Sequence, residues 1–353
     1  MSPASVPMSW FCSPGAAVTL MPPPEYGVQF DVTVAAEAGL HGSAQADRAA
    51  NARILRMAPK RSTPVRVPLS NPDKVLFPDD GITKAELADY YERVAAVMVP
   101  HTANRPMNLW RWNRGIAHDV VVQQSLPKGA PEWVARCEVP RRKGGDITHG
   151  MINDAETLRW LAQQNCVTPH VWNARCDLRD KPDRLVFDLD PTGDDFDEIR
   201  NGALAVAELL REVGLVPFAK LSGSRGIHVV APLKRTRTAD EVRAASQVLA
   251  DRVAAEHPDT LTTEWRKEKR DGKILVDVAR NTYGQTVVAP YAVRALAGAP
   301  ISAPVTWDEV ADPGLTPHAF TLRTFGERLE AVGDPWAELG AHAHALPRDL
   351  VKA

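Results

Sequence analysis

The sequence predicts an α+β fold, and three observations carry that expectation. Strand-like and helix-like patterns alternate over residues 66–345, but without the regular βα rhythm of a doubly wound sheet. Acids sit inside strand patterns that are otherwise apolar: Asp188 and Asp190 in LVFDLDP, and Asp277 in GKILVDVARN. A glycine-containing turn, SGSRG, separates two further strand patterns. No internal repeat is visible.

The composition fits such a fold. A chain of 353 residues can bury one large core or two modest ones. Its 44% apolar and 24% charged content reads as globular. No apolar run approaches the length of a membrane span, and the N-terminus lacks the basic head of a signal peptide. A cytoplasmic, nucleoid-associated protein with no membrane partner is expected. Cys12, Cys137, Cys166 and Cys176 form no CxxC pair, so reduced packing or surface thiols are expected rather than a zinc site. The 42 basic and 44 acidic residues give a formal charge of -2. That argues against a passive basic coat for nucleic acid, but an enzyme needs only a local positive path. Arg141-Arg142-Lys143 and the group Arg266, Lys267, Lys269, Arg270 and Lys273 are local basic clusters.

The elements follow in chain order. Residues 1–65 read as an N-terminal extension, with a strand expected at 27–33 after a run of prolines. Asn71-Pro72-Asp73 and Pro78-Asp79-Asp80-Gly81 are turn signals. Thr83, with Glu86 three residues on, forms a capping-box signature for a helix over 84–98, and Leu87, Tyr90, Tyr91, Val94, Val97 and Met98 give it an apolar stripe. Asp154 opens a second helix over 154–164. Strands are expected at 184–189, 216–221, 227–230 and 273–278, with a short one near 287–289. Helices are expected at 198–213, stopped by Gly214, and from Thr238 or Asp240 to about 255.

The chemistry lies in the acids. Residues two apart on a strand share a face, so Asp188 and Asp190 project together. Close like charges are costly unless a cation lies between them, and magnesium or manganese favours such oxygen ligands. Asp277, from another strand, would complete a metal-bridging set for two ions. One strand-end acid in solvent is the plainer alternative. In SGSRGIHVV, Gly223 and Gly226 permit a tight turn whose amides can face an anion. Ser222, Arg225 and His228 add donors. The helical P-loop pattern is absent, and a simple hairpin turn is the alternative.

Together these segments resemble the archaeo-eukaryotic primase-polymerase superfamily, and within it the polymerase domain of bacterial ligase D. NPDKVLFPDDGITKAELADYY is similar to the family's opening, LVFDLDP to its first two metal-binding acids, and SGSRGIHV to its SGxKGxH signature. GKILVDVARN and APYAVR complete the likeness, which spans about residues 66 to 340. The resemblance implies a modified RNA-recognition-like catalytic sheet packed on a second α/β subdomain, with the catalytic domain at 66–345. It implies that Asp188, Asp190 and Asp277 are catalytic and hold two Mn2+ or Mg2+ ions. Nucleotide contacts fall to His170 in VTPHVWN, Ser222, Arg225, His228, Arg270 and Arg294. A 5′-phosphate pocket falls to Asn71, Lys74 and Lys84. NTP and dNTP are the implied substrates, with ribonucleotides and manganese preferred.

Two departures stand out. The family often places an aromatic pair before its LP[RK]G segment to contact the template, whereas DVVVQQSLPKG has Val121 and Val122 there. A valine can wedge against a base but cannot stack on it, so Trp110 or Trp112 is a candidate substitute. Second, 353 residues leave no room for the ligase domain, and no KxDG adenylation motif is expected, which implies a stand-alone polymerase. The expected function is template-dependent gap filling or end extension on gapped or broken DNA with a 5′-phosphate. End joining with Ku and a separate ligase, de novo priming, and an inactive DNA-binding module are the alternatives.

Overall fold

The computed structural model describes residues 67–141 and 144–351. The expected N-terminal extension with its strand, and Arg142 and Lys143 of the first basic cluster, lie outside the described residues.

The first half builds one helix pair and a sheet. Strands β1 (Val75–Phe77) and β2 (Ile82–Thr83) form an antiparallel ribbon across the Pro78–Gly81 turn. Helix α1 (Lys84–Thr102) starts at the anticipated capping box: Thr83 accepts from the Glu86 amide at 3.2 Å, and the Glu86 carboxylate accepts from the Thr83 amide at 2.9 Å. The helix runs four residues past the expected end, through Pro100. Thr102 Oγ1 donates to the Met98 carbonyl at 3.2 Å and ties down this last turn. Strands β3 (Pro106–Arg111), β4 (Val121–Gln123), β5 (Arg136–Pro140) and β6 (Asp146–Met151) follow, then α2 (Ala155–Gln163), capped by Asp154 as expected, and β7 (Cys166–Trp172). They form a sheet ordered β7-β3-β6-β5, with β4 also on β3. Leu87, Tyr90, Tyr91, Val94 and Met98 of α1 bury against Leu158 and Leu161 of α2 and Met107, Leu109, Val167 and Val171 of the sheet.

The second half is a different sheet. Strand β8 (Arg184–Asp190), helix α3 (Phe196–Glu212), strands β9 (Phe218–Leu221) and β10 (Ile227–Pro232), helix α4 (Ala239–Glu256), and strands β11 (Leu261–Thr262) and β12 (Ile274–Asp277) come in that order. The sheet runs β11-β12-β8-β10-β9. Omitting the short β11, this is a βαββαβ unit with its fourth strand beside its first and its third beside its second, all antiparallel. That is the arrangement of an RNA-recognition-like sheet. One face carries Leu185, Phe187, Leu189, Ile227 and Val229 and packs on Ile199, Val206 and Leu210 of α3 and Val242 and Leu249 of α4. The other face carries Val186 and Val230, which meet Val287, Trp336 and Leu339. Burial on both faces explains why β8 reads as a nearly continuous apolar run broken only by its acids.

The remaining segments tie the two sheets together. Strand β13 (Thr286–Val288) joins the first sheet on β7, and β14 (Pro304–Val305) joins the second on β9. Short helices α5 (Trp307–Ala311) and α6 (Phe325–Val332) follow. Among the described residues no helix is long and apolar enough to cross a membrane.

One expectation is corrected here. Cys137 and Cys176 are not separate reduced thiols but a disulfide, with Cα atoms 5.9 Å apart and a sequence separation of 39. The bond joins β5 to the segment before β8 inside a small cluster with Val139, Met151 and Trp172. Nothing in the cysteine spacing could disclose it, because the sheet order alone brings the two positions together. Cys166 is free and buried, as expected of a packing residue.

Candidate active site

Strand register assembles the site. Asp188 on β8 lies opposite Asp277 on β12 and opposite His228 on β10, and His228 lies opposite Lys220 on β9. Directly paired residues present their side chains on one face. Asp277, Asp188, His228 and Lys220 therefore form a polar row across four strands, on the face turned away from α3 and α4. Asp190, two residues beyond Asp188, extends the same face at the end of the sheet. One carboxylate oxygen from each of Asp188, Asp190 and Asp277 lies within 4.8 Å of the others. The three expected acids are thus brought together, and as hard oxygen donors they fit a divalent cation. This cluster can coordinate a divalent metal.

The charges in the row are unequal. Burial and then the Asp188 and Asp277 carboxylates push Asp190 up to about 8, even though the residue is exposed at the sheet end. Burial and Asp188 raise Asp277 as well, against a 2.7 Å hydrogen bond from the Ala279 amide. Asp188 goes the other way: desolvation is outweighed by His228, then Arg280 and Lys220, which hold it below the usual carboxylate range. His228 Nε2 stands 3.1 Å from Asp188 Oδ1. Its own pKa is lowered, mainly by burial, which favours a neutral ring donating from Nε2. Its Nδ1 is buried without a protein partner. So His228 orients a metal-site acid with one nitrogen and leaves the other available.

The SGSRG turn sits at the end of the same strands. Ser222 N donates to the Gly226 carbonyl at 2.9 Å, and Ser222 Oγ accepts from the Ser224 and Gly226 amides at 3.2 and 3.1 Å. Gly223 has φ +67, and a Cβ there would lie 2.8 Å from Arg294 Cγ and from the Ile301 carbonyl carbon. A Cβ on Gly226 would lie 2.1 Å from the Leu189 carbonyl oxygen. Both glycines are therefore required by space, one also by backbone conformation. Arg294 Nη1 donates to the Ser222 carbonyl at 2.7 Å. Burial lowers its pKa while Asp188 and Asp190 raise it, so this guanidinium, bonded to the turn, lies within electrostatic reach of the acids. Arg225 is exposed at the tip of the turn.

The first sheet contributes His170, within electrostatic reach of Arg294, Arg280 and Lys220. His170 on β7 is buried, with Nδ1 3.2 Å from the Thr168 carbonyl. Burial, then Arg294, Arg280 and Lys220, hold it well below the ordinary histidine range, so it is neutral and its Nε2 is an acceptor. Trp110 stacks on it with ring centroids 4.2 Å apart. Val122 pairs with Trp110, and Val121 and Val122 are 47% and 37% exposed. Trp112 is buried and cannot contact a template. Of the two tryptophans expected to substitute for an aromatic pair, only Trp110 remains near the site, and it supports His170.

The remaining expected residues lie elsewhere. Arg270 donates to the Glu264 and Trp265 carbonyls at 3.0 and 2.8 Å, bracing its own loop, and is near enough to Asp190 to oppose that acid's pKa rise. The expected absence of KxDG is corrected here: Lys269-Arg270-Asp271-Gly272 spells it, within the turn into β12 of this domain. Lys74, Lys84 and Asn71 gather around the β1–β2 ribbon. Lys84 is 3% exposed and donates from Nζ to the Ser70 and Gln163 carbonyls at 3.0 and 3.3 Å. Lys74 Nζ donates to the Asn113 carbonyl. Burial lowers the Lys84 pKa, and Lys74 lowers it further, so two ammonium groups share one neighbourhood. Asn71 is exposed at φ +50.

Two residues were overlooked in the sequence. Lys220 is 1% exposed, donates to Ser302 Oγ at 2.7 Å and ends the polar row. A lysine inside the strand FAKL, two residues before Ser222, was a signal of the same kind as Asp277 among Ile, Leu and Val. Arg280, three residues after Asp277, acts on all three acids.

An RNA-recognition-like sheet with three clustered carboxylates on the face turned away from its helices, next to a tight glycine turn, is the arrangement of a primase-polymerase type domain. The family model for the LigD primase-polymerase domain matches residues 83–336, and the chain belongs to that family. It is 36% identical over 281 residues to the multifunctional non-homologous end joining protein LigD of Mycolicibacterium smegmatis, covering 79% of this chain and 36% of that protein. The bifunctional non-homologous end joining protein LigD of Bacillus subtilis is 30% identical over 281 residues, 78% of this chain and 45% of that protein. The chain thus spans less than half the length of these relatives. The polymerase domain of Mycobacterium tuberculosis ligase D, solved in complex with DNA, superposes with a TM-score of 0.74 at 34% identity, covering 79% of this chain and 99% of that domain.

Proposed function

We propose that this domain adds nucleotides to a DNA 3′ end across a short gap or break, with Asp188, Asp190 and Asp277 holding two divalent ions, Mn2+ or Mg2+. The observation that carries the reading is the cross-strand set Asp277–Asp188–His228 beside the SGSRG turn. Metals bound there would supply Lewis acidity to the attacking hydroxyl and the leaving phosphate. The chain's own groups do the rest. His228 fixes the Asp188 carboxylate, while Arg294 and Arg280 bring positive charge to the acids' side of the cleft. Arg225 reaches out from the turn toward a triphosphate. The neutral Nε2 of His170, held by Trp110, offers an acceptor to a nucleotide hydroxyl. Family resemblance adds a preference for ribonucleotides. Lys74, Lys84 and Asn71 make a positive recess suited to a 5′-phosphate on the downstream strand.

The relatives named above are called non-homologous end joining proteins, which favours end joining as the second reading, with a Ku-type end binder and ligase activity as partners. The test is single-nucleotide addition to gapped DNA with manganese, comparing matched and mismatched nucleotides and both sugars. Absence of any templated addition by the wild type would overturn the proposal. A deoxyribonucleotide preference would remove only the sugar assignment.

A further inference from the structure

The loop over residues 263–273, between β11 and β12, carries Trp265 and joins the catalytic sheet next to Asp190. Trp265 is 64% exposed, more than any other large hydrophobic side chain among the described residues. The exposure is not that of a slack segment. Arg270 Nη2 donates to the Trp265 carbonyl at 2.8 Å and Nε to the Glu264 carbonyl at 3.0 Å. The Arg266 amide donates to Glu264 at 2.9 Å, and a single helical turn, Lys267–Lys269, follows. Thr192, two residues after Asp190, donates from Oγ1 to the Lys273 carbonyl at 2.6 Å, and Leu275 pairs with Asp190. The loop therefore leaves the catalytic sheet at the end that carries Asp190.

An indole held open to water on a braced loop calls for a flat apolar partner. The surroundings specify its chemistry. Arg266, Lys267, Lys269, Arg270 and Lys273 share the loop, against Glu264, Glu268 and Asp271. A π-face among cations, at the rim of an acid triad, matches a nucleobase flanked by phosphates. Duplex bases are already stacked, so the base must be unpaired. The β3–β4 hairpin offers Val121 and Val122 rather than rings, and among the described residues Trp265 is the aromatic in the set of exposed large hydrophobic side chains. We propose that Trp265 is the stacking platform for an unpaired base of the template strand near the metal site, with the loop's basic residues on its phosphates. This rests on the polymerase reading and deepens it.

The test measures binding, so that it separates from catalysis. Wild type, Trp265→Ala and Trp265→Phe are titrated at one salt concentration against a labelled duplex with a single-stranded template overhang, and against a blunt duplex of equal length. The Ala variant is expected to bind the overhang DNA about five- to ten-fold more weakly and the blunt duplex within about two-fold of wild type. The Phe variant is expected to recover most of the loss. Affinity for a fluorescent ribonucleotide triphosphate with Mn2+ is expected to stay unchanged in both. Unchanged overhang binding in the Ala variant, an equal loss on both DNAs, or a Phe variant no better than Ala would each overturn the assignment. Failure of the polymerase reading shows instead as no nucleotide addition by the wild type, whichever way the titrations fall.

Discussion

Strand β8 carries charge at both ends, and the ends are built in opposite ways. At its start, Asp183 takes two hydrogen bonds from Arg105 at 2.7 and 2.8 Å and one from Arg175 at 2.8 Å. Desolvation there is outweighed by Arg105 and Arg184, and the carboxyl stays below its usual range. At the other end Asp190 faces two more acids and is pushed up to about 8. The first end has matched its charges within the chain, and the second has left its negative charge for something else to match. Completed buried ion pairs hold structure, whereas an uncompensated cluster in a cleft marks function. The contrast predicts that damage at one end appears as lost stability and damage at the other as lost chemistry.

The largest effect is expected at the unmatched end. Asp190→Ala should lower manganese-dependent nucleotide addition on the order of 10³-fold, because the charge removed is one that stabilises the transition state. Without metal, Asp190→Asn should leave the melting temperature unchanged or raise it, since it relieves repulsion from Asp188 and Asp277. Thermal melts with chelator would check this, and a clear drop in melting temperature would break the comparison. At the matched end, Asp183→Ala should cost about 3–5 kcal/mol in urea unfolding, because it strands the fully buried Arg105 without its partner. A stable Asp183→Ala protein with abolished activity would reverse the roles of the two ends.

The unmatched end was the more legible of the two. An acid in a strand of Leu, Val and Phe has no ordinary reason to be there, and the period-2 pattern placed Asp188 and Asp190 on one face. The capping boxes and the helices between the catalytic strands were equally visible, because caps and apolar stripes are local. Strands β3 to β6 were not anticipated. Segments such as PMNLWR and DITHGM alternate weakly, and their identity comes from pairing with distant partners. The same cause hid the Cys137–Cys176 bond and the Asp188–His228 contact, which depend on strand order. Lys220 was hidden differently: its strand was expected, but a single lysine in it reads as an edge residue until register sets it beside His228.

A third region tests the rule at smaller scale. Lys74 and Lys84 form an unmatched positive pair, the inverse of the acid cluster. A gap with a downstream 5′-phosphate should bind about ten-fold better than the same gap ending in hydroxyl, from a charge-assisted contact of roughly 1.5–3 kcal/mol. Titration of both DNAs at fixed salt isolates the terminal group, because backbone attraction is common to both. The Lys74→Ala, Lys84→Ala double variant should lose the difference. Since Lys84 already serves two backbone carbonyls, Lys74→Ala alone should remove most of it. Equal binding of the two gaps by wild type would show that an unmatched pair need not mark a site.

The smallest effect is expected at the β3–β4 hairpin, whose β4 presents exposed apolar side chains rather than charge. Val121 and Val122 stand partly exposed, and the pairing of Val122 with Trp110 puts Val122 on the face of the Trp110–His170 stack, while Val121, opposite Arg111, lies on the other face of the hairpin. A valine covering part of a base would bury only some tens of square ångströms, worth about 1 kcal/mol at roughly 25 cal/mol per Å². Val121→Ala with Val122→Ala should therefore weaken templated addition about five-fold, without changing stability, since neither residue belongs to a core cluster. Val122→Phe should act in the opposite sense, because a ring adds stacking area where the valine only wedges. The measurement is single-turnover addition opposite a matched template base, with untemplated addition to a blunt end as the reference. If the alanine pair slows both reactions equally, the hairpin shapes the His170 side of the nucleotide site and does not touch the template. If only templated addition slows, the two sides of the cleft divide the labour: charge on the catalytic sheet for the phosphates, apolar surface on the other sheet for the base.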